Sequence, residues 1–81
     1  MIRILYFGVL QETLGSEESV AWEGGDSDTL LAWLRTRGDV WAQALAPEKI
    51  FRVVVNQEII LNNATIPVGA EVGILPPVTG G

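Results

Sequence analysis

Residues 1–9 are almost all apolar and divide between the two faces that an extended chain presents, which predicts a β-strand there. Ile2, Ile4 and Tyr6 fall on one side of such a strand, and Leu5 and Phe7 fall on the other. A strand that is apolar on both faces is typical of a central position in a sheet, where both faces are covered. We therefore expect the chain to begin with a central strand.

Changes of hydrophobic period mark the later elements. In chain order, they predict a helical turn at residues 10–14, a strand at 17–22, a helix from Asp26 or Ser27 to Arg37, a short helix at 40–45, and strands at 51–55, 58–61 and 71–75. Asn56-Gln57 separates two of these strands and is a plausible two-residue hairpin turn, because Asn tolerates positive φ.

The longer helix is amphipathic. Leu30, Trp33 and Leu34 share one side of it and are expected to face the sheet, while Arg35 is expected to face water. Gly38 is a natural stop for this helix.

One main helix covers only one face of a sheet, so the other face is left to solvent or to a partner. The most apolar strands, the first and the last, are expected side by side at the centre. The fold class predicted is α+β with the β-grasp (ubiquitin-like) arrangement, a mixed sheet of about five strands packed on one main helix. The expected division is a β-grasp domain at residues 1–75 and an extended tail at residues 76–81.

Sheet parity predicts an apolar patch on the uncovered face. If Val72 and Ile74 point inward, Leu75 points outward, beside Phe7 from the first strand. Ile59 joins them if the register of its strand allows. Scattered apolar side chains are common on protein surfaces. An aromatic residue grouped with aliphatic ones next to the tail favours a partner interface instead.

Composition narrows the classes of function. The chain has 81 residues, 48% of them hydrophobic, which indicates one globular domain. It contains no cysteine and no histidine, so thiol nucleophiles, histidine bases and structural zinc sites are excluded. We therefore do not expect an enzyme that acts on its own, and we expect neither a bound cofactor nor a metal. The acidic side chains Glu23, Asp26 and Asp28 are better explained as solvated charges and helix-start acids.

Charge and hydropathy also limit the partners. The net charge of −5 and the scattered basic residues argue against nucleic acid and favour partners with basic surfaces. No apolar run approaches the length of a membrane span, and the first residues lack the layout of a signal peptide. Together with the absence of cysteine, this predicts a cytoplasmic protein that does not bind membranes.

The most informative segment is the end of the sequence, Pro76-Pro77-Val78-Thr79-Gly80-Gly81. The two prolines end the last strand and continue as stiff, extended chain, which reaches about 20 Å at roughly 3.3 Å per residue. Gly80 and Gly81 add an unhindered carboxylate that can enter a narrow active site. A frayed terminus is the plain alternative. The proline pair favours a terminus that is itself the reactive centre.

These residues resemble the small subunits of molybdopterin synthase, the MoaD family of ubiquitin-like sulfur carriers. The ending at residues 76–81 is similar residue for residue. The opening at residues 1–7, the Glu12-x-x-Gly15 step, Val55-Asn56-Gln57 and Gly69-x-Glu71-Val72 are similar in place and spacing. The departures are Val68 and Ala70, where acidic residues often stand, and Ile74 and Leu75, where aromatic residues are common.

The resemblance implies a chemistry for the tail. A ubiquitin-activating-like adenylyltransferase would use ATP to convert the Gly81 carboxylate to an acyl adenylate, and sulfur would replace AMP to give a thiocarboxylate. Gly80 would admit the adenylating site, and Pro76, Pro77, Val78 and Thr79 would form the arm that threads into the partner.

The resemblance also implies the partners. The large subunit of the synthase would receive the tail, supply the catalytic side chains and form a heterotetramer of two small and two large subunits. There the sulfur would attack cyclic pyranopterin monophosphate to form molybdopterin, in molybdenum cofactor biosynthesis. Phe7, Ile59 and Leu75 would belong to the partner surface.

Three other functions stay open at this point. A carrier of the same fold delivers sulfur to another pathway, such as thiamine synthesis, although the proline pair argues against that one. A ubiquitin-like modifier joins its terminal glycine to lysines of other proteins. A plain interaction module carries an incidental tail, and deleting Gly80 and Gly81 would then preserve its function.

Overall fold

A five-stranded mixed sheet forms the frame of the molecule in the computed structural model, which describes residues 1–49 and 51–76. The elements in chain order are β1 Ile2–Tyr6, α1 Val9–Leu14, β2 Glu17–Val20, β3 Gly25–Asp26, α2 Ser27–Arg35, α3 Asp39–Ala44, β4 Arg52–Val55, β5 Glu58–Ile60, β6 Thr65–Ile66 and β7 Glu71–Leu75. No helix within the described ranges has the length and apolar character needed to span a membrane.

The sheet has the strand order β2-β1-β7-β4-β5, so the first and last strands lie at its centre. β1 and β7 are parallel, with Ile4 opposite Val72 and Tyr6 opposite Ile74. β1 pairs with β2, and β4 pairs with both β5 and β7, in antiparallel orientation. The central parallel pair and the mixed sheet confirm the predicted β-grasp arrangement.

The core lies between the sheet and the helices, and the alternation of β1 produces it. Ile2, Ile4 and Tyr6 are buried on one side of the strand, as predicted, and Val72 and Ile74 of β7 are fully buried beside them. Residues at alternate strand positions share one face of the sheet, so these five side chains form one apolar layer. The helices contribute the other layer of the core.

The helix α2 begins where Asp26 caps it. The Asp26 carboxylate accepts a hydrogen bond from the backbone N–H of Thr29 at 2.8 Å, which satisfies one of the free donors of the first turn. Leu30, Leu31 and Leu34 are buried against the sheet. The predicted start of this helix and the predicted burial of Leu30 and Leu34 are therefore confirmed.

Three expectations about α2 were wrong. Trp33 is 43% exposed, because successive helix positions point about 100° apart, which turns it away from the buried Leu34, and its ring lies beside the Arg37 side chain. Arg35 does not simply face water, since its Nε donates to the Leu45 carbonyl at 2.6 Å. The helix ends at Arg35, and Gly38 with φ 153° starts α3 instead of ending α2.

The hairpin between β4 and β5 has the predicted turn. Asn56 and Gln57 both have positive φ, 48° and 71°, which matches the twist that a two-residue hairpin requires. The Asn56 side chain also accepts a hydrogen bond from the Glu71 N–H at 3.0 Å. This turn is thereby tied to the start of β7.

A second sheet of two short strands, β3 and β6, was not predicted. The predicted strand at residues 17–22 stops at Val20, and Trp22 follows it with its indole N–H donating to the Ile66 carbonyl at 2.9 Å. This bond ties the chain before α2 to β6. The small sheet thus closes one edge of the core.

Candidate protein-interaction site

The face of the five-stranded sheet turned away from α2 and α3 carries the candidate site, and we call it the open face. It is formed by the alternate strand residues whose side chains do not enter the core: Arg3, Leu5 and Phe7 from β1 and its end, Glu71, Gly73 and Leu75 from β7, Arg52 and Val54 from β4, and Ile59 from β5. No other layer of the described chain covers it.

A shallow, mainly apolar groove of about 200 Å³ crosses the open face. Its lining residues are Leu5, Phe7, Val54, Gln57, Glu71, Gly73 and Leu75. The groove therefore runs across β1, β7 and β4, and its carboxylate and amide groups stand at the end where β7 begins. A concave apolar surface with a few polar groups is what protein interfaces and small ligand sites share.

Phe7 is the largest side chain of the groove. It follows β1 directly and is 43% exposed, although its backbone N–H is held by the Ile74 carbonyl at 3.1 Å. An exposed aromatic ring on a fixed backbone suits a contact surface. Neither the backbone nor a side chain with two rotatable bonds loses much freedom when a partner covers the ring. The structure thus brings Phe7 and Leu75 together in one groove, as sheet parity predicted.

Ile59 lies on the same face but outside the groove lining. It pairs with Val54 across the β4–β5 hairpin, one strand further from Phe7, and is 63% exposed. The apolar part of the open face therefore extends beyond the groove toward the edge of the sheet.

The chain leaves the sheet at Pro76, which packs against Gly8. A Cβ atom at Gly8 would lie 2.7 Å from Cγ of Pro76, which is closer than atoms in contact can approach. Gly8 also has φ 59°, a region that glycine enters without strain. The glycine therefore provides the space in which the first residue of the predicted arm sits, at the Phe7 end of the groove.

The rest of the predicted tail, Pro77, Val78, Thr79, Gly80 and Gly81, lies outside the described residues. What the structure describes is the point from which the tail departs, at the Phe7–Leu75 end of the open face.

Charges on the open face concentrate at the opposite end. Arg3 donates to the Glu17 carboxylate at 2.6 Å and lies 3.8 Å from that of Glu71. The hydrogen bond with Arg3 lowers the pKa of the Glu17 carboxyl below its ordinary value. These side chains are about half exposed, so the ion pairs are screened by water and contribute little stability.

A second polar network lies on the helix side. Tyr6 donates to the Glu18 carboxylate at 2.8 Å, and Arg37 binds both oxygens of the same carboxylate at 2.9 and 2.8 Å. The Arg37 guanidinium lies 4.3 Å from the centre of the Trp41 ring. Burial raises the pKa of the Tyr6 phenol above its ordinary value, so this hydroxyl serves as a donor and not as a base.

No group of three or more acidic side chains is placed to hold a metal ion within residues 1–49 and 51–76. Asp26 caps α2, and its other oxygen accepts a bond from Asn63 at 3.1 Å. The helix cap and the bond from Asn63 account for the acidic residue at this position.

Sequence reasoning missed two glycines of the site. Gly73 forms the floor of the groove between Phe7 and Val54, and Gly8 forms the seat of Pro76. The parity that placed Leu75 on the open face also places Gly73 there. The close approach at Gly8 had no such signal, because it joins two segments far apart in sequence.

Comparison with known proteins identifies the family. The sequence model of the ThiS family matches residues 4–81. The chain belongs to the ThiS family. It is also similar, at 33% identity over the whole length of both chains, to a protein of Escherichia coli K12 named molybdopterin synthase sulfur carrier subunit. A Haemophilus influenzae protein of the same name is 29% identical, again over the full length of both.

These comparisons confirm the resemblance drawn from the tail and the strand motifs. Both alignments cover the whole of each chain, so they include the residues of the open face and the terminal segment. The ThiS family also confirms the β-grasp fold that the strand order of the sheet shows.

Proposed function

We propose that this ThiS-family chain is the sulfur carrier subunit of a molybdopterin synthase. The observation that carries the proposal is the full-length similarity to two relatives with that name, on a β-grasp fold whose last strand leads into the Pro-Pro-Val-Thr-Gly-Gly ending. The position of Pro76 beside an uncovered apolar groove supports it, because a docked partner would receive the tail at the same place.

The proposed chemistry takes place on Gly81. Its carboxylate attacks the α-phosphorus of ATP in an adenylyltransferase, which forms the acyl adenylate and releases pyrophosphate. A sulfide-equivalent nucleophile then displaces AMP and leaves a thiocarboxylate. The thiocarboxylate sulfur attacks a carbon of the precursor, cyclic pyranopterin monophosphate, and displaces the oxygen substituent bound to that carbon. Water then cleaves the resulting thioester. The product keeps the sulfur, and Gly81 returns as a carboxylate.

The chain itself does not catalyse these steps in this proposal. It has no histidine and no cysteine, and its one tyrosine is buried and bound to Glu18. Residues 1–75 would dock to each enzyme, and residues 76–81 would deliver the reacting group. ATP binds to the activating enzyme, and the carrier holds sulfur only as a covalent bond at Gly81.

The proposed partners are a large synthase subunit, in a heterotetramer of two small and two large subunits, and an adenylyltransferase. Phe7, Ile59 and Leu75 are proposed to contact them, because these side chains lie on the open face. Cytoplasmic activity is part of the proposal, and the absence of cysteine supports it.

The test is the intact mass of the chain after incubation with an adenylyltransferase, ATP and a sulfur source. Exchange of oxygen for sulfur adds about 16 Da, the same nominal shift as oxidation of methionine, so the shift must be mapped to Gly81 and must respond to thiol alkylation. A chain lacking Gly80 and Gly81 is the control and should stay unmodified while folding normally.

The next assay adds the large subunit and cyclic pyranopterin monophosphate to the thiocarboxylated chain. Formation of molybdopterin with return of the original mass supports the proposal. Adenylation without sulfur, with the chain found joined to lysines of other proteins, would show a modifier instead. Sulfur transfer only to a different acceptor would show a carrier for another pathway.

A further inference from the structure

Arg52 stands beside the point where the tail leaves the open face. It is the first residue of β4 and lies opposite Leu75, the last residue of β7, in the antiparallel register. Side chains of such opposed residues begin about 5 Å apart and lie on the same face of the sheet. Val53 and Val55 point into the core, so Arg52 and Val54 point to the open face.

Most basic side chains of the described chain already have partners within the fold. Arg3 and Arg37 form salt bridges, and Arg35 donates to the Leu45 carbonyl. Arg52 is exposed and takes part in none of the salt bridges found in residues 1–49 and 51–76. It is thus available to a partner, in a chain with only five basic residues and a net charge of −5.

The charged side chains on the open face therefore differ between the two ends of β7. Glu71, with Arg3 and Glu17 beside it, marks one end, and Arg52 marks the tail end. Leu75 lies four steps along the strand from Glu71, which is about 13 Å at roughly 3.3 Å per residue. The apolar groove lies between the two ends. A partner that covers the groove therefore meets a positive charge beside the tail, although the molecule as a whole is negatively charged.

We propose that Arg52 is a specificity-determining contact that pairs with an acidic side chain at the mouth of the tail pocket of the large synthase subunit. This inference rests on the proposed function. The large subunit is the chosen partner because the relatives are named as subunits of the synthase, and a subunit needs a lasting interface. A charge pair at the rim of an apolar contact fixes orientation and excludes partners that carry the wrong charge.

The experiment measures the dissociation constant between the full chain and its cognate large subunit by calorimetry. Arg52→Gln is compared with Arg52→Lys, which keeps the charge, and with Arg3→Gln, which removes the same charge from the same face at its other end. We expect Arg52→Gln to weaken binding about tenfold and the other two variants to stay within about threefold of wild type. The unfolding midpoint of Arg52→Gln should match that of wild type, because the side chain is exposed.

A second measurement varies the salt concentration. Because the pair lies at an exposed rim, the difference between wild type and Arg52→Gln should shrink in about 1 M salt, where the Debye length is about 3 Å. Equal binding by wild type and Arg52→Gln would overturn the inference, as would equal losses for Arg52→Gln and Arg3→Gln. A loss seen only with the adenylyltransferase would overturn the choice of partner. Failure of wild type to bind the large subunit at all would instead overturn the proposed function.

Discussion

The ring of Phe7 lies directly against the backbone of Gly73. A Cβ atom at Gly73 would be 3.2 Å from Cε2 of Phe7 and 3.7 Å from Cβ of Val54. Because glycine has no side chain, the ring packs directly on the strand backbone and no side chain of β7 fills the groove at this position. The glycine at the centre of β7 is therefore part of the shape that a partner meets.

Replacing Gly73 with leucine should fill the groove and displace the Phe7 ring. We expect Gly73→Leu to weaken binding to the large subunit by at least about tenfold, a loss of about 1.4 kcal/mol, measured by calorimetry. Gly73→Ala is the matched smaller change. Phe7 needs to move only a few tenths of an ångström to accept it, so its affinity should stay within about threefold of wild type. Equal affinity for Gly73→Leu and wild type would show that the groove is not contacted.

Two isoleucines on opposite faces of the sheet should separate stability from binding. Ile74 is fully buried, so Ile74→Ala should lower the free energy of unfolding by about 2–5 kcal/mol through lost burial and a cavity. Ile59 is 63% exposed, so Ile59→Ala should change it by less than about 0.5 kcal/mol. Urea unfolding measures both values.

Binding should show the reverse order for variants that remain folded. Ile59→Ala should weaken the complex with the large subunit, because the side chain is proposed to be covered there. If Ile59→Ala binds as wild type does, the partner surface ends at the groove and does not reach β5.

The period-two pattern was enough to predict the central strands, because alternation along β1 and β7 follows directly from which side chains the core buries. The exposure of Trp33 could not be predicted in this way. Helical spacing leaves it at the border of the buried face, and the Arg37 side chain beside the ring shows on which side of that border it lies. The two-residue strands β3 and β6 are too short to carry a periodic pattern.

For the site, parity was enough to place Phe7 and Leu75 on one face, since both follow from the same alternation. Gly8 and Gly73 contribute by the absence of a side chain, and the need for that space appears only when distant segments meet. Arg52 likewise depends on the register between β4 and β7, which the sequence does not specify.

The cap at Asp26 should make stability depend on pH in the acid range. Hydrogen bonds from Thr29 and Asn63 lower the pKa of Asp26 from 3.8 to about 2. Because the folded state holds the proton less tightly than the unfolded state, the stabilisation is complete above about pH 5. It declines as the pH falls through 3.8 and is lost near pH 2.

Asp26→Ala removes this contribution and should lower the thermal midpoint at pH 7. The difference from wild type should shrink between pH 4 and pH 2. Asp26→Asn is the matched control, since asparagine also caps helices but does not titrate there. Its difference from wild type should change in the same range, while its difference from Asp26→Ala should stay constant. A wild-type advantage that persists unchanged at pH 2 would contradict this role of the carboxylate.

The central carbon of the Arg37 guanidinium lies 5.2 Å from the centre of the Trp33 ring and 4.3 Å from that of Trp41, while the side chain binds Glu18. A planar guanidinium can lie against an aromatic ring while its N–H groups donate to a carboxylate, whereas an ammonium offers no planar face. We therefore expect Arg37→Lys to lower the free energy of unfolding by about 1 kcal/mol although the charge is unchanged.

Urea unfolding followed by tryptophan fluorescence checks this prediction. Arg52→Lys is the control, because it makes the same exchange at an exposed strand position. Equal stability of the two variants would mean that the charge of Arg37 alone stabilises its contacts with Glu18 and the two indole rings. A loss confined to Arg37→Lys would show that stacking anchors α2 and α3 to Glu18 of β2. The helix layer would then be held independently of the open face, which leaves that face free to meet successive partners.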